Sequence, residues 1–236
     1  MSQTRLCVVI CGAIGTLGSA VVRAFAARRA AIGMIDIVKE APALHLQLQH
    51  DHAYELGIDL TDFRSTNAAM QRCAQALGGI DVLVNVAGGF CWEPLESGDV
   101  GTWDRMYQMN LKSALNASKA ALPEILRSGS RGRIINIGAA AAAKAAAGMG
   151  AYAASKSAIQ RLTESLSEEL KDRGVTVNAI LPGIIDTPRN RADMPNADRA
   201  RWVAAGDIAE IIVFLASERA RAVSGASIPV LGTGPG

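Results

Sequence analysis

A tyrosine and a lysine with complementary acid–base chemistry lie four positions apart in the segment Ala151-Tyr152-Ala153-Ala154-Ser155-Lys156. Positions i and i+4 share one face of a helix, so the phenol of Tyr152 and the ammonium of Lys156 would be neighbours. A free phenol has a pKa of about 10. A neighbouring ammonium, reinforced by the positive nicotinamide of an oxidised cofactor, favours phenolate and brings the pKa of Tyr152 toward the range useful for a general acid or base. Taken alone, the pair is equally typical of an exposed contact on a helix surface.

A glycine-rich turn near the amino terminus indicates a second kind of chemistry. The apolar residues 6–11 lead into Gly12-Ala13-Ile14-Gly15-Thr16-Leu17-Gly18, and a helical pattern follows at once. Such a strand-to-helix turn lets backbone amides approach a pyrophosphate, and the helix dipole stabilises the negative charge. We therefore predict a dinucleotide site. Its first members are Gly12, Ile14, Thr16, Leu17 and Gly18.

A carboxylate at the end of the second predicted strand indicates which dinucleotide is bound. Asp36 follows the glycine turn by about 20 residues, where an acidic side chain accepts hydrogen bonds from the adenosine ribose and repels a 2′-phosphate. No arginine interrupts the turn, and Ile37 follows the carboxylate. The sequence favours NAD (NADH) over NADP as the cofactor. The alternative is that Asp36 only caps the next segment.

Short β-branched runs alternate with longer segments of helical period along residues 1–236, as in right-handed βαβ units. This alternation predicts an α/β fold, a single-domain Rossmann fold with a doubly wound parallel sheet of about seven strands. Strands are predicted at 5–11, 31–36, 53–58, 80–86, 132–138, 175–181 and 226–230, and helices at 16–28, 62–77, 103–128, 150–173 and 207–217.

Two connections are predicted to border the site. The alanine-rich residues 139–147 follow a strand and precede Gly148 and Gly150, so we interpret them as a loop although alanine favours helix. The long polar connection from 182 to about 206 is punctuated by prolines, and we predict a mobile substrate lid at about 184–206.

Composition excludes several classes of protein. A net charge of +2 with no long basic stripe argues against nucleic acid as a partner. No apolar stretch is long enough to span a bilayer, so no membrane partner is expected. The four cysteines lack both CxxC spacing and disulfide-scaffold density, which favours a reducing cytoplasm. His45, His50 and His52 have no carboxylate or cysteine cluster nearby, so no metal site is predicted.

With these motifs in this order, the chain resembles the short-chain dehydrogenase/reductase family over essentially its whole length. That family carries a glycine turn, an Asp-Leu pair, an Asn-x-Ala-Gly segment, a helix asparagine, a Tyr-x-x-x-Lys pair and a Pro-Gly segment. The matching residues here are the turn at 12–18, Asp59-Leu60, Asn85-Val86-Ala87-Gly88, Asn110, Tyr152 with Lys156, and Pro182-Gly183. Cys11 and Thr16 replace the usual threonine and middle glycine of the turn.

The resemblance implies roles for individual residues. Asp59 would contact adenine, Lys156 would also bind the nicotinamide ribose, and Asn110 would hold a water of the proton relay. Thr187 would reach the nicotinamide carboxamide. The implied cofactor contacts also include Asp36, Ile37, Leu60, Asn85, Ala87, Gly88, Tyr152, Pro182, Gly183 and Ile185.

The resemblance also implies a homodimer or homotetramer. Small residues on the predicted helix 103–128, together with the 150–170 helix, would permit close packing between subunits. Packing within one chain would explain them equally well. The small residues in question are Ser113, Ala114, Ala117, Ala120 and Ala121.

One departure from the family bears on mechanism. The family's catalytic serine precedes the tyrosine by thirteen residues, and that position here is Ala139. Loss of one preorganised donor costs on the order of 10²–10³ in rate for carbonyl chemistry. Three explanations remain open: the substrate does not need the donor, Lys144 or a water supplies it, or the protein has lost catalysis and kept the cofactor.

The dihydropteridine reductase subgroup also lacks this serine, and the chain is similar to it at residues 15–19, 86–89, 148–149 and 186–202. That resemblance implies an activated, conjugated imine-like acceptor. Residues 103–123 with Asn110 instead resemble an ordinary family member. Aromatic and apolar loop residues are candidates for a wall that holds a flat ring, although packing of the lid would explain them equally well. The candidate pocket residues are Phe90, Trp92, Ala139, Met149, Met194 and Trp202.

The sequence thus predicts an NAD(H)-dependent oxidoreductase that transfers hydride between nicotinamide and a small carbonyl, alcohol or conjugated imine or quinonoid (pterin-like) substrate. Tyr152 would be the general acid or base, assisted by Lys156 and Asn110. The alternative, motivated by Ala139, is an NAD(H)-binding regulatory or scaffold protein without catalysis.

Overall fold

The computed structural model describes residues 5–40 and 52–232, and within them the strands form one parallel sheet in the order β3-β2-β1-β4-β5-β6-β7. The strand order reverses between β1 and β4, which opens a crevice at the carboxyl ends of these strands. The strands are β1 Cys7–Cys11, β2 Ala31–Asp36, β3 His52–Leu56, β4 Val82–Asn85, β5 Arg133–Ile137, β6 Thr176–Pro182 and β7 Ser227–Val230.

Helices cover both faces of the sheet. The first face carries α1 and α7, and the second carries α2, α4 and α5. The helices are α1 Thr16–Ala26, α2 Phe63–Leu77, α3 Val100–Met106, α4 Ser113–Ser128, α5 Gly150–Leu170, α6 Pro188–Asp193 and α7 Ala205–Ala216.

The central strands are apolar on both sides because both faces of the sheet are covered. In β1, Val8 and Ile10 pack in the core beneath α1 and α7, while Val9 and Cys11 pack in the core beneath α2 and α4. This alternation follows from the two-residue period of a strand. The predicted fold class, a doubly wound parallel sheet of about seven strands, is confirmed.

Some predicted boundaries were wrong. The helix predicted at 103–128 begins at Val100 and contains a π-helical turn at Tyr107–Lys112, whose wider period leaves no clear mark in the apolar pattern. The segment Pro188–Asp193 is helical within the predicted loop, since Thr187 caps it and Pro188 occupies its first turn. Residues 139–147 form a loop, as predicted, with one 3-10 turn at Ala140–Ala142.

The base of the predicted lid is joined to the core. Ile185 and Val203 form a parallel β-bridge, and the Asp186 amide donates to the Val203 carbonyl at 2.8 Å. Val203 itself is buried in the core. Mobility of residues 184–206 stays a prediction. Separately, no helix in the described ranges is long and apolar enough to cross a membrane.

The small residues of α4 pack within the chain rather than on its surface. Ala117 and Ala121 have no exposed surface, and they lie in one core with Ala69 and Met70 of α2. Ser113, Ala114 and Ala120 are buried in the same way. Packing within the chain, one of the two explanations that the sequence left open for these residues, is thus observed, and contact between subunits stays a prediction.

Candidate active site

The glycine turn is close-packed at both ends and open in the middle. Gly12 has φ +81°, and a Cβ there would lie 2.6 Å from the Ala87 amide nitrogen. A Cβ on Gly18 would collide with the Gly12 carbonyl oxygen. At Gly15 a Cβ would meet nothing nearer than 3.9 Å. Gly12 and Gly18 therefore shape the turn, and Gly15 leaves its outer side open.

The open side of the turn leads to the amino terminus of α1. Gly15 is the N-cap residue of α1 and has no side chain to cap the helix. The first turn of α1 has no acidic residue. The first amides of the helix thus remain available to an anion. Thr16 is exposed, whereas the Leu17 side chain lies in the core, so Leu17 offers only its backbone. These residues fit a dinucleotide pyrophosphate.

Asp36 ends β2 beside this turn. Its carboxylate accepts hydrogen bonds from the Ile14 amide at 2.8 Å and the Val38 amide at 3.2 Å. The second bond agrees with the capping interpretation, and the first joins the carboxylate to the glycine turn. An ionised carboxylate has about four acceptor sites, so further sites are free for ribose hydroxyls. Ile37, the next residue, is 67% exposed.

Asp59 and Leu60 follow β3 in a local turn. The Asp59 carboxylate is exposed and accepts from the amide and hydroxyl of Thr61 at 2.9 and 2.8 Å. Leu60 is buried, and its carbonyl accepts from Nδ2 of Asn116 at 2.9 Å. Sequence reasoning missed Asn116. A lone helix asparagine gives no signal that its partner lies 56 residues away.

A chain of buried polar side chains crosses the sheet centre. Nδ2 of Asn85 donates to the Ser118 hydroxyl at 3.1 Å and to Oδ1 of Asn136 at 2.8 Å. Nδ2 of Asn136 donates in turn to the Thr163 hydroxyl at 2.9 Å. The structure thus places the Asn85 side chain inside the sheet. Sequence reasoning missed Asn136, although an asparagine within Ile134-Ile135-Asn136-Ile137 was a usable signal.

Asn110 lies in the π-helical turn and braces the loop after β4. Its Oδ1 accepts from the Gly89 amide at 2.8 Å, and its Nδ2 donates to the Gly89 carbonyl at 3.1 Å and the Ser155 hydroxyl at 2.9 Å. The Ser155 hydroxyl donates onward to the Tyr152 carbonyl at 2.7 Å. Both hydrogens of the Asn110 side-chain amide are thus used within the chain, and the water-holding role stays a prediction.

Lys156 is a buried cation at the carboxyl end of β5. Its Nζ donates to the Ile137 carbonyl at 2.8 Å. Gly88 makes room for it, since a Cβ there would lie 3.1 Å from Nζ and 2.6 Å from Oδ1 of Asn110. Burial lowers the pKa of Lys156 to about 8 because the apolar surroundings disfavour the charged form. Two ammonium hydrogens remain available to other partners.

Tyr152 is the third residue of α5, and its ring meets the ring of Phe90 edge-on at 4.9 Å between centroids. Burial raises the pKa of Tyr152 to about 12. The sequence argument expected phenolate to be favoured by Lys156 together with the positive nicotinamide of the oxidised cofactor, and for the cofactor-bound protein this stays a prediction. In the chain alone, desolvation dominates, and the phenol is protonated at neutral pH.

Comparison with known proteins agrees with this arrangement. A family model described as short chain dehydrogenase matches residues 6–198. The chain belongs to the short-chain dehydrogenase/reductase family. One relative is the 2,5-dichloro-2,5-cyclohexadiene-1,4-diol dehydrogenase LinX of Sphingobium indicum, 30% identical, with 95% of this chain and 94% of that protein covered. The relatives named as dehydrogenases make this chain an oxidoreductase.

Two solved structures of the family show the same fold. A short-chain type dehydrogenase/reductase from Mycobacterium ulcerans superposes with a TM-score of 0.89 at 27% identity, covering 98% of this chain and 89% of that chain. A blue fluorescent protein from a metagenomic library, in complex with NADPH, gives a TM-score of 0.85 at 31% identity, with coverage of 98% and 97%.

The missing hydroxyl distinguishes this chain from the short-chain dehydrogenase/reductase pattern given above. Ala139 is buried, just after β5. The nearby hydroxyls of Ser155 and Ser157 donate to the Tyr152 and Ala142 carbonyls at 2.7 and 2.8 Å. Lys144 is exposed, and no hydrogen bond or ion pair joins it to Tyr152 within the described ranges. No described side chain therefore replaces the serine directly.

Aromatic residues border the alanine-rich loop. Trp92 donates from Nε1 to the Ala147 carbonyl at 2.9 Å, and its ring occupies the space that a Cβ on Gly148 would need. Met149 precedes α5 directly. Trp103, which the sequence analysis missed, approaches Gly150 so closely that a Cβ there would lie 3.2 Å from its ring. With Phe90, these side chains lie on the Tyr152 side of the crevice.

The segment after β6 contributes the remaining predicted residues. Pro182 ends β6, and the Gly183 amide donates to the Val230 carbonyl at 2.8 Å. Thr187 accepts from the Asn190 amide at 3.0 Å and caps α6, while Nδ2 of Asn190 donates to the Ile185 carbonyl at 2.8 Å.

Met194 and Trp202 lie further along the lid. Trp202 packs under the Arg199 guanidinium, 5.7 Å from the ring centroid. In the part of the chain that the structure describes, no hydrogen bond or ring contact joins Met194 or Trp202 to Tyr152.

Proposed function

We propose that the protein is an NAD(H)-dependent reductase that transfers hydride between nicotinamide and a small carbonyl, alcohol or conjugated imine, with Tyr152 as the general acid or base. The observation that carries the proposal is the half-buried Tyr152 one helical turn from the buried Lys156. Nζ of Lys156 donates to the Ile137 carbonyl at 2.8 Å, next to the Gly88 backbone and the Asn110 side chain.

The chain's own residues divide the work. A bound nicotinamide cofactor supplies or accepts the hydride. The Tyr152 hydroxyl donates a proton to the substrate atom in reduction and takes it back in oxidation. Lys156 places a positive charge near the phenol and turns its free hydrogens toward the ribose. The side-chain amide of Asn110 joins the Gly89 backbone to Ser155 of α5, and this keeps the loop after β4 in a fixed position beside Tyr152 and Lys156.

The protonation state of Tyr152 in the chain alone suits a general acid in reduction. Burial raises the pKa of Tyr152 to about 12, so the phenol already carries the proton that reduction consumes. Oxidation requires phenolate, which the buried site disfavours. A cationic nicotinamide would offset part of this effect.

The cofactor we propose is NADH rather than NADPH, although a solved relative holds NADPH. Support comes from Asp36, whose carboxylate is held toward the glycine turn by the Ile14 amide, and from the neutral, exposed Ile37. A wild-type protein with a lower KM for NADPH than for NADH would contradict this assignment. The double variant Asp36→Ala with Ile37→Arg is expected to reverse the preference.

The substrate class we propose is an already activated acceptor, such as a quinonoid dihydropterin. Ala139 supports this, since one donor is missing and an electrophilic substrate depends least on it. The relative LinX is named as the dehydrogenase of a cyclic diol, so cyclic ketones and alcohols are the second class to test. Fast turnover of simple ketones with slow turnover of quinonoid dihydropterin would reject the pterin-like substrate.

The decisive experiment is a Tyr152→Phe variant assayed by NADH absorbance across carbonyl, alcohol and imine substrates. Loss of the phenolic proton is expected to abolish turnover while NADH binding, followed by fluorescence, survives. The matched control is Tyr107→Phe, because Tyr107 is 45% exposed in the π-helical turn. Unchanged turnover in Tyr152→Phe would exclude this tyrosine as the acid.

A second candidate function, a regulatory or scaffold protein that binds NAD(H), is favoured by Ala139 alone. Tight NADH binding without turnover of any substrate in the same panel would support it. The buried Lys156 weighs against it, because a pure binding protein has no evident need for the cost of burying that charge.

We further propose a cytoplasmic homodimer or homotetramer. Support for the assembly comes from apolar side chains exposed around α3 and the π-helical turn, with Val100 76%, Tyr107 45% and Met109 43% exposed. Light scattering on the purified protein measures the mass directly, and a monomer at micromolar concentration would contradict the assembly.

A further inference from the structure

A groove of about 880 Å³ lies at the amino edge of the sheet, at the opposite end of the strands from Tyr152. It is bordered by the residues before β1, the end of α1, the start of β5 and the end of α7. Strand β5 connects the two sites, since Arg133 begins it in the groove and the Ile137 carbonyl ends it at Lys156. This second cavity has no part in the function proposed above.

The groove is lined by six arginines and two glutamates among the described residues. Arg28 pairs with Glu210 at 2.6 Å, but Arg29 and Arg219 have no carboxylate within ion-pair distance in the described chain. Arg219 lies over the Phe214 ring at 5.9 Å. The six arginines are Arg5, Arg28, Arg29, Arg131, Arg133 and Arg219. Arg131 pairs with Asp81 at 3.2 Å and Arg133 with Glu218 at 3.5 Å, so the excess positive charge of the groove lies on Arg29 and Arg219.

Arg133 is buried at the head of the groove with an incomplete set of partners. It is 1% exposed, and one terminal nitrogen donates to the Ser130 and Gly132 carbonyls at 2.7 and 2.9 Å. Its Nε is buried without a hydrogen-bond partner. Its other terminal nitrogen lies 3.5 Å from Glu218, beyond the roughly 2.9 Å of a strong charge-assisted bond. A buried guanidinium with such weak compensation is stabilised by an added anion.

Arg29 provides an independent observation at the rim of the same groove. Its φ is +58°, the one positive value at a non-glycine residue in the described ranges. It follows the end of α1, a position where glycine is unstrained. When a residue keeps backbone strain that a glycine would remove, its side chain is a candidate for a functional role. A cation thus stands at a position where glycine would be free of backbone strain.

The floor of the groove is apolar. Phe214 is 42% exposed, Val213 and Leu6 are half-buried, and Phe25 lies buried behind them in the core. Guanidinium groups bind phosphate oxygens through paired hydrogen bonds, which makes phosphate the anion that suits several arginines at once. We propose that this groove is a binding site for an organic phosphate whose apolar part packs on Phe214 and Val213 while its phosphate pairs with Arg29, Arg133 and Arg219.

Titration calorimetry with 1-naphthyl phosphate tests the site, with inorganic phosphate and neutral 1-naphthalenemethanol as comparison probes. One equivalent of 1-naphthyl phosphate is expected to bind more tightly than either comparison probe, and excess NADH is expected not to displace it. Equal affinity for inorganic phosphate would overturn the apolar part of the proposal. Displacement by NADH would place the ligand at the dinucleotide site and overturn the groove.

Variants separate binding from folding. Arg219→Ala is expected to weaken 1-naphthyl phosphate binding about tenfold, the loss that follows from one hydrogen bond to a charged group. The matched control is Arg161→Ala on α5, whose arginine is exposed and far from the groove in sequence. Equal affinities in the two variants would overturn the proposal.

Arg29→Gly gives a test that loss of folding cannot imitate. It removes the cation and also the backbone strain, so binding is expected to weaken while the melting temperature rises. An arginine that served only the helix end would leave the affinity unchanged, and that result would remove Arg29 from the site.

Discussion

The two ends of β5 each hold a buried cation, and they use it differently. At the carboxyl end, Lys156 donates to the Ile137 carbonyl at 2.8 Å, and burial lowers its pKa to about 8. At the amino end, Arg133 donates to the Ser130 and Gly132 carbonyls, and burial lowers its pKa as well. An arginine keeps its proton at any ordinary pH. Burial therefore makes the lysine an acid–base group, and it leaves the arginine in need of an anion.

The largest effect is expected at the lysine end. Lys156→Met should lower turnover by about 10²–10⁴, the range for loss of an acid–base partner, because Tyr152 would then lack its neighbouring charge. NADH absorbance with the best substrate of the panel measures this. Lys119→Met, an exposed position on α4, is the matched control and should leave turnover unchanged.

The same variant also tests whether the lysine ionises. Its pKa is lowered from 10.5 to about 8, so between these values the unfolded chain binds more protons than the folded one. Lys156 should therefore add about 3 kcal/mol to the free energy of unfolding between pH 8 and 10.5, seen as the difference between the wild type and Lys156→Met. Burial raises the pKa of Cys7, Cys11 and Cys73, and this lowers the stability of both proteins above pH 9. Identical pH dependence of urea unfolding in both proteins would show that the buried amine is not titrating.

A smaller change in rate is expected on restoring the missing donor beside the lysine end. Ala139→Ser places a hydroxyl at the buried position after β5, and it should raise turnover of simple ketones by about 10² while leaving an activated acceptor unaffected. Steady-state kinetics with both substrate types checks this. Ala140→Ser, in the adjoining 3-10 turn, serves as the control. Equal gains for both substrates would mean that the activated acceptor also needs the donor.

The glycine turn and the end of α1 differ in what their backbones tolerate. A Cβ on Gly18 collides with the Gly12 carbonyl oxygen, whereas one on Gly15 meets nothing nearer than 3.9 Å. Gly18→Ala should therefore cost about 1–3 kcal/mol of stability, as overpacked substitutions do. Gly15→Ala should cost far less. Thermal unfolding of the two variants measures this difference in stability. Equal melting temperatures would contradict the close packing around Gly18.

The smallest effect is expected at the arginine end. Arg29→Gly should stabilise the fold by about 1 kcal/mol, because glycine adopts positive φ without the strain of a side chain. Arg23→Gly, inside the last turn of α1, should lower stability by a similar amount. A melting temperature that falls in Arg29→Gly would show that the side chain itself supports the helix end.

Features decided by neighbouring residues could be predicted from the sequence. The alternation of strands and helices, the glycine turn and the four-residue spacing of Tyr152 and Lys156 are local patterns, and the fold class and family that they predicted are confirmed. The resemblance to dihydropteridine reductase stays a prediction.

The tertiary structure decided what depends on residues far apart in the chain. Burial, a property of the folded surroundings, raises the pKa of Tyr152 to about 12 in the chain alone, and the spacing of Tyr152 and Lys156 carried no signal of it. The bonds from Asn85 to Asn136 and from Asn110 to Ser155 join separate crossovers of the sheet. The arginines of the amino edge also meet only after folding, because parallel strands bring every amino end to one side and every carboxyl end to the other.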